Sequence, residues 1–511
     1  MNNNALTWLD GYVADIAYDY SFFPEIAPMS MVLNLLNRHA LPPSLDKFTY
    51  CELGCGQGFT TNLLAATHPQ GEFWGVDFNP SHITAAQQLT TAAELINIQF
   101  QDQSFAEFLA TDTPKFDFIT LHGVYAWVGD ANRQTIVELL RQKLNCGGAV
   151  YISYNSLPGW SALMPLRELL VRSPQQATNS SLEKVEQGLQ FAQSLQDLQA
   201  RYFVENPSAQ RELAEMQEDS RTYLAHEYFN QDWRPLYHAE VVEQLATAKL
   251  TFASSADLDD EFYNLKLKDE QLDFLAQISD RTLQETTRDF FFNSRFRRDL
   301  FVRGAVSMPA LEQAEYLSTI RFALTILPEE MDYEVELVGR SLKLDAAIYQ
   351  PLVAVLAQQP QTLRELMQQP MLKTLDFAAL WQALKILISI ERVAPALTQQ
   401  DSERCQPVVA RLNTALLKRS RFGADTQVLA SPVTGGGIPI SRSEQLFLLA
   451  QQRNVDPIQF IHKIVQAQGE RLMKDGQVLE SPEAIQAELE RQVERIKVSR
   501  LPLFEQLGLV E

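Results

Sequence analysis

The sequence predicts an α/β protein with a parallel, helix-flanked sheet at its N-terminus, followed by mostly helical domains. Strand-like and helix-like runs alternate between residues 45 and 160, and strand–helix repeats of this length build parallel sheets. Gly54, Gly56 and Gly58 follow the first strand-like run. Ligands of such sheets bind beyond the carboxyl ends of the strands, so these glycines indicate a binding site.

The elements are predicted from apolar runs and from helical spacing of apolar residues. The predicted strands are FTYCEL, GEFWGVD, NIQFQD, KFDFITLHG and GGAVYISYN. The predicted helices between them are TTNLLAATH, PSHITAAQQLTTAAEL, FAEFLA and NRQTIVELLRQKL. Pro80 stands near the start of the second helix, where a missing N–H costs little.

Composition narrows the class of protein. With 511 residues, two to four domains are expected. A net charge of −21 argues against nucleic-acid binding and favours cationic partners such as a lysine-bearing peptide. The four cysteines have no framework spacing, so we expect a reducing compartment and a cytoplasmic protein. The sequence predicts neither a signal peptide nor an apolar run long enough for membrane insertion.

The glycine turn has the spacing G-x-G-x-G, whereas the dinucleotide fingerprint is G-x-G-x-x-G. Phe59 stands where the third glycine of that fingerprint would be. Glu52, just before the turn, suits a cationic ligand that carries an amino acid better than it suits a pyrophosphate. In isolation, the same stretch would be an ordinary strand–helix turn.

Two acidic residues stand at the ends of the next strands. Asp77 ends the second strand, at about the separation from the glycines at which a carboxylate meets a ribose diol. Asp102 ends the third, where it is a candidate for an adenine edge. The alternative for each is a solvated strand-end charge or a helix cap, which is more plausible for Asp102.

These stretches resemble a known family. ELGCGQG, WGVDFNP and QFQDQSF are similar to motifs I, II and III of the class I S-adenosylmethionine-dependent methyltransferases, which have a Rossmann-like sheet. The resemblance implies S-adenosyl-L-methionine as cofactor and no metal. It implies that the cofactor is held at the methionine end, the ribose and the adenine by Glu52, Gly54, Gly56, Gly58, Asp77, Phe78, Asp102, Gln103 and His122.

The acceptor is predicted from aromatic residues near the strand ends. A lysine amine must be neutral to attack, and an apolar pocket lowers its pKa. An N-terminal segment, YVADIAYDYSFFPE, is predicted to lie across the cofactor as a lid. Each candidate also has packing or hydrogen bonding as its alternative role; the catalytic candidates are Tyr18, Tyr20, His122, Tyr125, Asn155 and Trp160.

The rest of the chain extends the resemblance. YLAHEYFNQDWRPLYHAEVVEQLATAKLTFASSA and TRDFFFNSRFRRDLFVR are similar to the methyltransferase regulatory domain of bacterial protein-lysine methyltransferases, including the rickettsial type. This resemblance implies a protein substrate and lysine as the acceptor. A small-molecule acceptor and a non-catalytic cofactor-binding scaffold remain as alternatives, and a homodimer is left open.

Four domains are predicted. A cofactor-binding core with its lid is followed by a helical arm and regulatory domain, then by a region compatible with a winged helix, and finally by a C-terminal helical domain. Their predicted bounds are residues 1–165, 166–305, 306–400 and 401–511.

Overall fold

A computed structural model of the protein describes residues 20–173, 180–474, 477–479 and 481–510. Its first part is the predicted alternation of strands and helices. The elements are α1 (Pro28–Asn37), β1 (Phe48–Leu53), α2 (Phe59–Thr67), β2 (Gly71–Asp77), α3 (Pro80–Ala93), β3 (Ile98–Asp102), α4 (Phe105–Ala110), β4 (Phe116–Leu121), α5 (Asp130–Lys143) and β5 (Leu144–Asn155).

Helices dominate the next part, with two further strands. The elements are α6 (Met164–Arg172), α7 (Ser181–Asp197), α8 (Arg201–Glu205), α9 (Pro207–Glu218), α10 (Arg221–Tyr228), α11 (His238–Ala246), β6 (Leu250–Ser255), α12 (Asp269–Ala276), α13 (Arg281–Phe292) and β7 (Phe296–Arg303).

These strands form one seven-stranded sheet with the order β3-β2-β1-β4-β5-β7-β6. Strands β1 to β5 are parallel, and β7 is antiparallel to both β5 and β6. The predicted Rossmann-like sheet is confirmed, and residues expected to be in the regulatory domain complete it. The predicted division at residue 165 therefore separates strands of one sheet. The stretch from Phe296 forms strand β7, which pairs with β5 over seven residues.

Apolar packing covers both faces of the sheet. Along β1, Tyr50 belongs to the core cluster on one face and Cys51 to the cluster on the other. This alternation follows from the two-residue period of a strand. The cluster that contains Tyr50 continues into the C-terminal half of the chain, as far as Phe504. The C-terminal domains thus share a core with the sheet.

The C-terminal half begins with a small antiparallel sheet. The elements are α14 (Ala310–Thr319), β8 (Arg321–Leu324), β9 (Glu334–Leu337), β10 (Arg340–Lys343), α15 (Ala346–Leu356), β11 (Gln361–Thr362), α16 (Leu363–Gln368), α17 (Phe377–Ser389) and β12 (Val393–Ala396). The sheet order is β11-β8-β12. The winged helix is not confirmed: the central strand β8 precedes helices α15, α16 and α17, whereas in a winged helix this strand would come from a hairpin after them.

The remaining elements pack against the sheet domain. They are α18 (Gln399–Arg419), β13 (Val428–Ala430), β14 (Gly437–Pro439), α19 (Arg442–Gln452), α20 (Pro457–Ala467), β15 (Met473–Lys474), β16 (Gln477–Val478), α21 (Pro482–Arg495) and α22 (Leu501–Gln506). Strands β13 and β14 form a hairpin. Within the residues described above, no helix combines the length and apolar character needed to cross a membrane.

Candidate active site

The glycine turn joins β1 to α2 at the carboxyl end of the sheet. Gly54, Gly56 and Gly58 have φ values of 73°, 53° and 65°, a backbone conformation that glycine adopts without strain. A Cβ at Gly54 would lie 2.5 Å from Val124 Cγ2, and one at Gly58 would lie 2.5 Å from the Phe100 ring. A Cβ at Gly56 would meet no atom within 4 Å. Close packing thus requires glycine at positions 54 and 58. At Gly56 there is free space beside the backbone.

Asp77 holds this turn in place. Its Oδ2 accepts a hydrogen bond of 2.9 Å from the backbone N–H of Gly56. Its Oδ1 accepts one of 2.9 Å from the N–H of Asn79 and lies 3.2 Å from His82 Nδ1. The carboxylate therefore faces the glycine turn, as the sequence predicted.

The turn and Asp77 border a cavity of about 180 Å³ that lies across the carboxyl ends of β1 to β4. It combines apolar and polar walls. The lining residues are Ser21, Phe23, Glu52, Gly54, Cys55, Gly56, Gln57, Phe59, Thr60, Asp77, Phe78, His82, Gln103, Ser104, Phe105, His122, Gly123, Val124, Trp127, Val128, Asn132 and Asp232.

Glu52 is a buried acid in the cavity wall. Its carboxylate accepts a hydrogen bond from the hydroxyl of Thr61. Burial raises its pKa to about 7, opposed by the Thr61 bond and reinforced by the charge of Asp77. A cationic group beside Glu52 would favour the ionised carboxylate. This part of the cavity therefore suits an ammonium or sulfonium group.

His122 lies in the wall at the end of β4. Its ring stacks on Phe23, with centroids 3.7 Å apart. Its Nδ1 lies 2.9 Å from the Tyr151 hydroxyl and 3.7 Å from the Glu25 carboxylate. Burial, together with the smaller effect of the charge of Arg298, lowers its pKa to about 3. His122 is therefore a neutral ring at neutral pH.

The structure brings seven of the predicted site residues together around the cavity. These are Glu52, Gly54, Gly56, Asp77, Phe78, Gln103 and His122. Tyr18 lies outside the described residues. Among the residues that the structure does describe, six predicted ones are not part of the cavity lining: Tyr20, Gly58, Asp102, Tyr125, Asn155 and Trp160.

Three of those six are packed into the protein interior. Tyr125 is fully buried, and its hydroxyl donates a 2.5 Å hydrogen bond to Gln244. Asn155 is also buried at the end of β5. The indole N–H of Trp160 donates to the backbone carbonyl of Arg295 at 2.9 Å. They lie near the strand ends, as predicted, but none of the three lines the cavity.

The other three occupy positions at the edge of the site. Asp102 is exposed, although it is the register partner of Asp77. Gly58 is the N-cap of α2 and is needed for packing against β3. Tyr20 contacts Arg419 and the edge of Phe59.

Sequence reasoning missed several residues of the wall. Phe23 and Trp127 line the cavity, although neither is among the candidate residues predicted from the sequence. Asp232, from the segment between α10 and α11, lies next to Gly129, where a Cβ would be 2.8 Å from its Oδ2. No local motif marks Asp232, because its place at the cavity depends on the packing of its segment next to Gly129, which is distant in the sequence.

The chain was compared with known proteins. A family model described as "Methyltransferase domain" matches residues 51–148, and one described as "Predicted methyltransferase regulatory domain" matches residues 220–303. An uncharacterised protein of Synechocystis sp. is 38% identical over 505 residues, covering 99% of this chain and 100% of that protein. The chain belongs to the class I S-adenosylmethionine-dependent methyltransferases, in the group with a regulatory domain.

Two further comparisons concern the fold and the core. The solved structure of PKMT2 from Rickettsia typhi in complex with AdoHcy has a TM-score of 0.70 with this methyltransferase and 20% identity, over 96% of this chain and 100% of that one. A malonyl-[acyl-carrier protein] O-methyltransferase of Paenibacillus sp. is 31% identical over 105 residues, which are 20% of this chain and 37% of that protein. The methyltransferase thus shares its whole fold with the first and only a stretch of sequence with the second.

S-adenosylmethionine is the cofactor of this methyltransferase class, and the residues present fit it. The open backbone at Gly56 and the buried carboxylates of Glu52 and Asp77 border the same cavity. A ligand with a cationic amino-acid end and a ribose diol matches these groups.

Proposed function

We propose that this methyltransferase modifies a protein side chain, the ε-amine of lysine. The observation that carries the proposal is the wall of the cavity, where the acidic, glycine-lined end adjoins a neutral aromatic surface made by Phe23 and His122. When bound, S-adenosylmethionine supplies a methyl group on a sulfonium that is open to in-line displacement.

We assign the cofactor contacts from the geometry of the wall. Glu52 would hold the ammonium group, and the backbone of Gly54 and Gly56 would lie along the methionine end. Asp77 already accepts a hydrogen bond from the Gly56 N–H and has further acceptor capacity for ribose hydroxyls. Phe78 and Gln103, at the ends of β2 and β3, would border the adenine.

The aromatic wall suits an amine acceptor. Lysine attacks only as the neutral amine, and a wall of Phe23 and neutral His122 penalises the charged form. The positive charge that acts on His122 is Arg298, which is paired with Glu25 at 3.1 Å and with Asp257 at 2.7 Å. Because two carboxylates compensate this guanidinium, the wall has little attraction for a carboxylate acceptor such as that of an O-methyltransferase.

A protein substrate is supported by the sequence and by the fold. The regulatory-domain stretch resembles that of bacterial protein-lysine methyltransferases, and the whole chain has the fold of the Rickettsia typhi protein named PKMT2. A net charge of −21 favours a lysine-bearing partner over an acidic one.

The proposal predicts methyl transfer into protein. The purified full chain is incubated with S-adenosylmethionine labelled at the methyl carbon and with extract of the organism that encodes it. We expect label in protein and, by mass spectrometry, on lysine. Gly54→Ala is the inactive control, because its Cβ would meet Val124 at 2.5 Å; Gly304→Ala is the matched control, with φ +71° but open space around the Cβ.

Three results would contradict the lysine proposal. Label confined to low-mass material would indicate a small-molecule acceptor, and label on a carboxylate would indicate O-methylation. No transfer at all, despite cofactor binding, would favour the non-catalytic scaffold.

A further inference from the structure

Residues 20–23, which we call the lid segment, form one side of the cofactor cavity. Ser21 and Phe23 line the cavity. Thr60, at the start of α2, forms hydrogen bonds with both residues. Its hydroxyl donates to the Ser21 carbonyl at 3.0 Å and accepts from the Phe23 N–H at 3.3 Å. Phe23 also stacks on His122. The cavity wall at this side therefore depends on where the lid segment lies.

The other side of the lid segment contacts the C-terminal domain. Tyr20 forms a parallel backbone bridge with Thr426, and the guanidinium carbon of Arg419 lies 4.0 Å from the centre of the Tyr20 ring. The Phe22 ring lies against the hairpin, so that a Cβ at Gly437 would be 2.8 Å from its Cδ1. Side chains of an extended segment alternate in direction. Tyr20 and Phe22 accordingly meet the C-terminal domain, and Ser21 and Phe23 meet the cavity.

The C-terminal elements that contact the lid segment are helix α18 and the β13–β14 hairpin, which we call the C-terminal support. They are themselves attached to the sheet domain. Helix α18 packs on α2 and α3. Arg411 of α18 donates to the Ala93 carbonyl at 3.2 Å, and the Thr67 hydroxyl donates to the Gly435 carbonyl at 2.9 Å. Arg419 is oriented by Asp425 at 2.8 Å. The support therefore has a fixed position relative to the glycine turn.

We propose that the C-terminal domain positions the lid segment for cofactor binding, through the contacts of Arg419 with Tyr20 and of the β13–β14 hairpin with Phe22. Arg419, Tyr20 and Gly437 are positioning residues, since they act on the cavity through Ser21 and Phe23. This inference rests on the proposed cofactor site, and it gives the C-terminal domain a direct part in the active site.

The test compares two arginines of α18 in the full chain. Arg419→Ala removes the cation–π contact with the lid segment, and Arg404→Ala removes an ion pair with Asp401 within the same helix. Affinity for S-adenosylhomocysteine is measured by calorimetry, and hydrogen exchange is followed over residues 20–26. We expect Arg419→Ala to weaken binding about five-fold and to speed exchange in the lid segment. Arg404→Ala should change neither, and Arg419→Lys should partly restore both.

Gly437→Ala is a second variant, whose Cβ would meet Phe22 at 2.8 Å and, still closer, Val428 of the same hairpin without touching Arg419, and it should show the same pair of changes. The KM for S-adenosylmethionine should rise more than kcat falls in both lid variants. Wild-type affinity in Arg419→Ala and Gly437→Ala would overturn the inference, and so would an equal loss in Arg404→Ala, which would indicate general destabilisation. Absence of binding in the wild-type chain would instead overturn the proposed function.

Discussion

At the scale of single residues, the buried carboxyl of Glu52 links cofactor binding to pH. Its pKa is raised from 4.5 to about 7 by burial, so the folded chain holds this proton more tightly than the unfolded chain does. The stability contributed by this group is complete below about pH 4.5 and is lost as the pH rises through about 7. A cation bound beside Glu52 reverses the preference by favouring the ionised form.

We therefore predict proton release on binding. Near pH 6, S-adenosylhomocysteine, which keeps the ammonium group, should release protons when it binds the wild-type chain, and calorimetry in two buffers of different ionisation enthalpy measures the number. Glu52→Gln keeps a hydrogen-bond acceptor for Thr61 but cannot ionise, so it should release fewer protons. Equal release by the two proteins would show that Glu52 does not face the cationic end of the ligand.

The residues also show what local sequence can reveal. Glu52, Gly54, Gly56 and Asp77 were predicted because the turn spacing and the strand-end acid are local signals, and they meet at one cavity. Tyr125 carried the same strand-end signal yet is fully buried. Aromatic identity alone does not tell a wall residue from a core residue, because both roles bury the ring.

At the scale of elements, the predictable part is the run from β1 to β5. Each of these strands precedes its own helix, so the period of apolar residues changes within a short stretch of sequence. Strands β6 and β7 complete the sheet through pairing with distant partners, such as Asn155 with Phe296. The aromatic and arginine-rich sequence around β7 contains helix α13 as well as the strand, and only the pairing with β5 separates the two.

A buried ionic network explains why β7 belongs to the sheet domain. Arg297 donates to Glu285 at 3.0 Å, to Asp289 at 2.8 Å and to Asp299 at about 3.1 Å. Burial alone would raise the pKa of Asp299, but Arg297 and His238 lower it below its usual value. The Tyr154 hydroxyl of β5 donates to the same carboxylate at 2.6 Å. The network thus joins α13 and β7 to the sheet.

We predict that Arg297→Leu strongly destabilises the fold. The substitution leaves three buried carboxylates without their shared cation, at a cost of about 3–5 kcal/mol. Arg201→Ala, which removes an exposed ion pair with Glu205, should cost less than about 1 kcal/mol. Denaturant unfolding measures both, and similar costs for the two variants would mean that the network contributes little to stability.

At the scale of the whole molecule, the active site is assembled from distant parts of the chain. The sheet supplies the glycine turn and Asp77, the N-terminal lid segment supplies Ser21 and Phe23, and the segment before α11 supplies Asp232. The family resemblance indicated the core and the regulatory domain. The contact of Tyr20 with Thr426 has no sequence signal, because the two residues are about 400 positions apart in the chain.

The apolar core that the sheet domain shares with the C-terminal helices brings these distant segments together. One apolar cluster extends from α1 and β1 into the C-terminal helices, so the domains are packed together instead of being linked loosely.

The central claim is that the glycine turn and the carboxylate at position 77 form one cofactor site. The most direct measurement is the affinity for S-adenosylhomocysteine of the wild type, Asp77→Ala and Asp102→Ala, each shown to be folded by circular dichroism. Loss of the charged hydrogen bonds at Asp77 should weaken binding about 100-fold or more, whereas loss of the exposed Asp102 should weaken it less than about three-fold. Wild-type affinity in folded Asp77→Ala would contradict the account.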